Sequence, residues 1–141
     1  MFFSVDPYRK KKVIREIVEI LRGMPEILFA YVHGSFLKDR FRDVDVAVYL
    51  GGNYDKKSIL KEELKLEELL EREIEYPVDV RVLNNAPLSF RFNVIKHGEL
   101  IFSRDENRRS TFEALTISEY HDFAHFRRVY MREALGIEVQ P

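Results

Sequence analysis

The sequence predicts a small α/β domain (α+β in its segregation), in which a mixed β-sheet is packed by helices, and three observations carry that prediction. Three short β-forming runs, at 27–32, 43–50 and 77–83, are accompanied by stretches with helical periodicity before the first, between the second and third, and after the third. Those stretches are amphipathic, so each has one apolar face to lay against a sheet. The 141 residues are 45% apolar and 33% charged, a globular composition long enough to bury a core, so a single domain over residues 1–141 is expected.

Taken in order, Asp6-Pro7 reads as an N-cap and a first helical residue. Val13, Ile14, Ile17, Val18 and Leu21 then share a face until Gly23 and Pro25 stop the helix. The run ILFAYV (27–32) lacks polar alternation, as expected of a strand buried on both faces. It leads into Gly34-Ser35, a small-residue turn into helix-like structure. Residues 43–50 alternate, with Val44, Val46, Val48 and Leu50 on one face and Asp43, Asp45, Ala47 and Tyr49 on the other. After Gly51-Gly52-Asn53, residues from Asp55 to about Glu75 form an amphipathic helix carrying Ile59, Leu60, Leu64, Leu66, Leu69, Leu70 and Ile74. Its Lys/Glu outer face is expected to be solvated. PVDVRVL (77–83) alternates again, placing Asp79 and Arg81 together. A shorter helix from Pro87 to near Gly98, an apolar piece at 100–102 and a long helix over 106–135 complete the chain.

Aspartate is depleted in strands, yet Asp43, Asp45 and Asp79 all fall in them. The chain has 16 glutamates and only 8 aspartates, so the choice of the short acid in every strand is notable. Residues two apart on a strand share a face about 7 Å apart, within reach of one cation or two adjacent ones. If the 77–83 strand lies beside the 43–50 strand, Asp79 joins them, and an all-oxygen donor set suits Mg²⁺ or Mn²⁺. Gly34-Ser35 just upstream offers backbone N–H groups to a phosphate, with Lys38, Arg40 and Arg42 available to add positive charge nearby. The site is expected at the carboxyl ends of two strands.

A strand, a Gly-Ser turn, D-x-D on the next strand and a lone Asp on a third together resemble the nucleotidyltransferase superfamily of DNA polymerase β. The short layout resembles its minimal nucleotidyltransferase branch, which includes the MntA-type antitoxins of toxin–antitoxin systems. The stretches that carry the resemblance are YVHGS, FRDVDVAV, YPVDVRVLNNAPL and VIKHGELIFSRDE. It implies a polymerase-β-like fold and Mg²⁺-dependent transfer of AMP from ATP to a hydroxyl, with two ions as the expected complement. For the antitoxin branch that hydroxyl belongs to a tyrosine of a HEPN toxin partner. It further implies that Asp43 and Asp45 bind the metals gripping the triphosphate, and that Asp79 helps bind the catalytic metal and activates the attacking hydroxyl. Gly34 and Ser35 would hold the β and γ phosphates. Two other readings stand beside this one: an antitoxin acting by contact alone, and transfer to a small molecule such as an aminoglycoside. The second needs a partner or a second copy (a homo-oligomer) to complete the cleft.

The net charge of −1 argues against a dedicated nucleic-acid binder. The absence of cysteine suits a reducing, cytoplasmic setting. No apolar run approaches the roughly 20 residues of a membrane span, and no signal-peptide pattern opens the chain. Four further signals are weaker. His121 and His125 superficially resemble a zinc-protease pair, but with Asp for the usual Glu and no third ligand. Arg91 and His97 match a HEPN-like spacing by coincidence. His33 is expected to be structural. Tyr120, Phe123, Phe126 and Tyr130 recur at helical spacing and are expected as core, with a partner-binding surface as the alternative.

Overall fold

The computed structural model describes residues 1–138. In chain order its elements are α1 (Pro7–Arg22), β1 (Ile27–His33), a 3-10 turn (Gly34–Leu37), β2 (Val44–Leu50), α2 (Lys56–Ile74), β3 (Val78–Val82), α3 (Leu88–His97), β4 (Glu99–Ser103) and α4 (Glu106–Leu135). Local chemistry sets the helix starts. Asp6 accepts the Arg9 N–H at 2.7 Å, Asp55 that of Ser58 at 2.8 Å, and Asp105 that of Arg108 at 3.0 Å. Each such cap contributes about 1 kcal/mol. The end of α1 is held by Arg104, whose guanidinium donates to the carbonyls of Leu21, Arg22, Met24 and Ile27 at 2.8–3.2 Å.

The sheet order is β3-β2-β1-β4. β1 pairs antiparallel with both β2 and β4, and β2 pairs parallel with β3 across the α2 connection. The alternation expected along β2 and β3 is what divides the core. Val44, Val46, Val48, Leu50, Val78, Val80 and Val82 face α1 and α2, meeting Val13, Ile17, Leu21, Leu66, Leu70 and Ile74. On the opposite face, Phe29, Tyr31 and Ala47 pack with Val94 of α3 and Phe112 of α4. Tyr49 stacks on Phe29 there at 4.8 Å. β1 is covered on both sides, which explains its unbroken apolar run. Tyr31 also donates to Glu113 at 3.1 Å, and Glu113 pairs with Arg109 at 2.5 Å, fastening the first turns of α4 to β1.

Two expectations are corrected. The charged face of α2 is not wholly solvated: Glu63, Glu67 and Glu71 accept the N–H groups of Val82, Val80 and Val78, each at 2.9 Å. Because β3 is an edge strand, those N–H groups have no strand partner, and glutamates at i, i+4, i+8 supply the acceptors instead. The aromatic stripe of α4 is not core either. Phe123, Phe126 and Tyr130 are 55%, 66% and 53% exposed. At 1.5 Å per residue, α4 runs about 45 Å, and among its described residues only Phe112 and Thr116 are buried. The helix outruns the sheet it packs on. Tyr120 is the member of the stripe that stacks on another element, face to face with Phe92 of α3 at 3.8 Å.

Candidate active site

The strand pairing brings the expected acids together. Asp45 sits opposite Asp79 in the parallel β2/β3 register and opposite His33 in the antiparallel β1/β2 register. His33, Asp45 and Asp79 thus form a row across three strands, with Asp43 two residues before Asp45. All lie on the sheet face that carries α3 and α4, at its open end. The site's position differs from the sequence expectation: it is at the amino ends of β2 and β3 and the carboxyl end of β1. Antiparallel pairing of β1 with β2 causes this, since the Gly-Ser turn leaving β1 then meets the start of β2.

Gly34 is needed at that meeting point. Its φ is 72°, in the left-handed region, and a Cβ there would lie 2.3 Å from Asp45 Oδ2. The glycine therefore allows the Asp45 carboxyl to lie against the main chain. Ser35 ties the two ends of the loop, its Oγ accepting the Arg42 N–H at 3.4 Å. Lys38 closes the 3-10 turn, donating its N–H to the Ser35 carbonyl at 2.9 Å while its own carbonyl takes the Lys10 ammonium. Arg40 and Arg42 lie over the Phe2 ring, 4.8 and 5.4 Å from its centroid. Lys38 is exposed, and no hydrogen bond or ion pair among the described residues ties any of the three loop cations to the acidic row.

The electrostatics of the row are those of acids outnumbering the one cation beside them, Arg81. Burial, then the Asp43 and Asp79 charges, push the Asp45 carboxyl up to about 7, with Arg81 opposing. Arg81 Nε stands 3.7 Å from Asp79 Oδ1. Burial also lowers the His33 imidazole, with Asp79 and Asp43 opposing. Its Nε2 is buried without a hydrogen-bond partner, and its ring meets Phe90 edge-on at 5.5 Å. A cleft of about 310 Å³ lies between the start of α2 and the loop leading to α3; Arg81 and Phe90 line it, and His33, Asp43, Asp45 and Asp79 do not.

One acid near the row was missed from sequence. Glu67 of α2 is raised, by burial first, with the Asp79 carboxyl among the further causes. The repeat of glutamates at 63, 67 and 71 was the visible signal, but an i, i+4 acidic face reads as solvent until a strand edge is known to lie against it. The weaker motifs do not converge. Arg91 donates to the Ala86 carbonyl at 3.0 Å and pairs with Glu119 at 3.7 Å, while His97 is exposed at the end of α3. His121 and His125 are both exposed on α4.

A hairpin-like β1/β2 unit ending in Gly-Ser, with acids on β2 and on the parallel β3, defines a polymerase-β-type nucleotidyltransferase domain. The sequence profile of the family "Polymerase beta, Nucleotidyltransferase" matches residues 15–107, well over half of the chain, and the chain belongs to that family. Its four-stranded mixed sheet and helices are the polymerase-β-like nucleotidyltransferase fold. Among solved structures it is similar to a chain in the structure of a tri-AMPylated HEPN toxin of Shewanella oneidensis in complex with an MNT antitoxin (TM-score 0.68, 20% identity, covering 89% of this chain and 98% of that one). It is also similar to a toxin–antitoxin structure with AMP-PNP (TM-score 0.68, 21% identity, 86% and 98% covered). A third is a mutant of an MntA toxin–antitoxin complex with two Asp-to-Glu substitutions two positions apart (TM-score 0.69, 20% identity, 86% and 98% covered). At these identities the likeness is one of fold. No curated protein matches the sequence. No helix among the described residues is long and apolar enough to cross a membrane.

Proposed function

We propose that this chain is a single-domain, divalent-metal-dependent nucleotidyltransferase that moves AMP from ATP to a tyrosine hydroxyl of a HEPN-type toxin, acting as its antitoxin in the cytoplasm. The observation that carries this reading is the register placing Asp45 beside Asp79, with Asp43 two residues away and the Asp45 carboxyl against Gly34. Family membership supports the transfer chemistry. The toxin partner and the adenine nucleotide are drawn from the neighbours, one with an AMPylated HEPN toxin and one with AMP-PNP.

The donor set fits a hard cation such as Mg²⁺ or Mn²⁺. It is all carboxylate, and the raised Asp45 is the response of an acidic cluster that a positive charge would relieve. No group of three or more His, Asp or Glu side chains among the described residues is arranged to hold an ion as it stands. Mg²⁺ commonly takes only one or two protein carboxylates and completes its shell with water and substrate phosphates, so a partial set agrees with a site finished by ATP. Asp43 and Asp45 would hold the triphosphate side, and Asp79 the acceptor side. The bound cations would neutralise charge at the reacting phosphorus and on departing pyrophosphate.

The chain's own groups do the rest. The N–H groups at the start of the 3-10 turn, at Gly34 and Ser35, take phosphate oxygens, with Lys38 adding charge from the exposed side of the loop. The acceptor oxygen bonds to the α-phosphorus as the bond to pyrophosphate breaks, and the hydroxyl proton passes to Asp79, the outermost acid of the row. Arg81 beside Asp79 keeps that carboxyl turned to the site. Incubation with ATP, Mg²⁺ and a HEPN partner, followed by mass spectrometry of the partner, tests the reading. A nucleotidyl adduct on tyrosine is expected, and its absence under every metal and nucleotide condition would refute it.

A further inference from the structure

The acidic row occupies the amino end of β2, and the carboxyl end of the same strand carries a different set of groups. Tyr49 shares a face with Asp45 and lies four residues, about 13 Å, along the strand from it. A cavity of about 180 Å³ opens there between β2, α3 and α4, with Tyr49, Arg91, Arg108, Thr111, Thr116 and Glu119 in its lining. Arg108 donates to the Tyr49 hydroxyl at 3.4 Å and lies over that ring, 5.6 Å from its centroid. No ion pair among the described residues uses Arg108. Arg91 is held by the Ala86 carbonyl at 3.0 Å and stands 3.7 Å from the Glu119 carboxylate. Thr116 is 0% exposed, and its Oγ1 is buried without a hydrogen-bond partner.

Two guanidiniums against one carboxylate leave the cavity positive. The hydroxyls of Tyr49, Thr111 and Thr116 add donors, and such a set suits a small oxyanion. A buried hydroxyl with no partner is unfavourable, and a bound acceptor removes that penalty. The volume holds a free phosphate but falls short of the roughly 300 Å³ at which pockets enclosing larger ligands begin. We infer that this cavity is an anion site, separate from the acidic row and its Gly-Ser turn, that takes inorganic phosphate. Arg108 and Arg91 supply the charge, and Thr116 supplies a donor from the buried side. Occupation would join α3 and α4 to β2 at the end of the sheet away from the row. The inference does not depend on the transfer chemistry.

The test is titration of the full chain with inorganic phosphate, free of metal and nucleotide, on wild type, Arg108→Gln and Thr116→Val. Binding is read from backbone amide NMR shifts and from thermal melts against chloride at matched ionic strength. Phosphate should shift the amides of Arg108, Thr111 and Thr116 and raise the wild-type melting temperature. Arg108→Gln, at an exposed side chain, should weaken binding at those amides by about tenfold or more, the scale of one lost charge-assisted hydrogen bond. Thr116→Val should melt higher than wild type in chloride, because an unpartnered buried hydroxyl is gone, and yet bind phosphate more weakly. A hydroxyl that only packs would give the first result without the second, which overturns its role as a donor. Should Thr116→Val fail to fold, Arg108→Gln still decides the site. Shifts confined to Gly34 and Ser35, or undiminished phosphate affinity in Arg108→Gln, overturn the proposal. AMP titrated alongside should shift these amides less than phosphate, and AMP binding there where phosphate does not would overturn the choice of ligand.

Discussion

Six of the eight aspartates fall into two groups. Asp6, Asp55 and Asp105 cap helices, whereas Asp43, Asp45 and Asp79 meet at one end of the sheet. The capping residues satisfy backbone donors, while Asp45 is buried among like charges and pushed up to about 7 from an ordinary 3.8. A carboxyl raised in the fold binds its proton more tightly than in the unfolded chain, so its stabilising contribution is present below about pH 4 and is lost as pH rises through about 7. Metal-free wild type should therefore lose stability over that window. Asp45→Asn removes the titration, so its melting temperature should equal or slightly exceed that of the wild type above pH 7, with the difference closing in acid. Melts across pH without metal check this, and a variant destabilised at pH 8 would reveal a structural partner for Asp45.

At the scale of elements, α4 is the part that tertiary packing leaves unfinished. Its first turns are fastened through Tyr31, Glu113, Arg109 and Phe112, but Phe123, Phe126 and Tyr130 stand in solvent. Periodicity alone reads such a stripe as core, because it reports that a face is apolar and not what covers it. Phe123→Ala with Phe126→Ala should shift folding stability by no more than about 0.5 kcal/mol, as for exposed sites generally. If this face receives the toxin, the same pair should weaken the complex by about 2 kcal/mol, roughly thirtyfold. Melting and partner titration of the double variant separate the outcomes. Unfolding would return the stripe to the core, and unchanged affinity would place the partner elsewhere.

For the molecule as a whole, the elements and the three acids were legible because they depend on local rules: Asp6-Pro7 starts a helix, alternating valines make strands, and aspartate inside a strand asks for a reason. What was not legible depends on how strands meet. Residues 27–32 and 43–50 carry no mark of antiparallel pairing, so the end of the sheet holding the site was misplaced. Likewise Glu63, Glu67 and Glu71 become acceptors only because β3 is an edge. Sites finished by substrate should also couple their ligands. Mg²⁺ and ATP together should raise the melting temperature more than either alone, since each completes the other's coordination. Binding at 100 times the dissociation constant contributes about 2.7 kcal/mol. No shift with any triphosphate at saturating Mg²⁺ would remove the nucleotide site.

The claim that the acidic row performs the transfer is tested most directly by the initial rate of nucleotidyl adduct formation on a HEPN partner, measured by mass spectrometry with ATP and Mg²⁺ for wild type and Asp45→Asn side by side. The wild type should modify a tyrosine, modification should stop when Mg²⁺ is chelated, and Asp45→Asn should be slower by roughly a hundredfold or more, the scale of losing a preorganised electrostatic group. Modification by Asp45→Asn at the wild-type rate would contradict the placement of the chemistry at Asp43, Asp45 and Asp79.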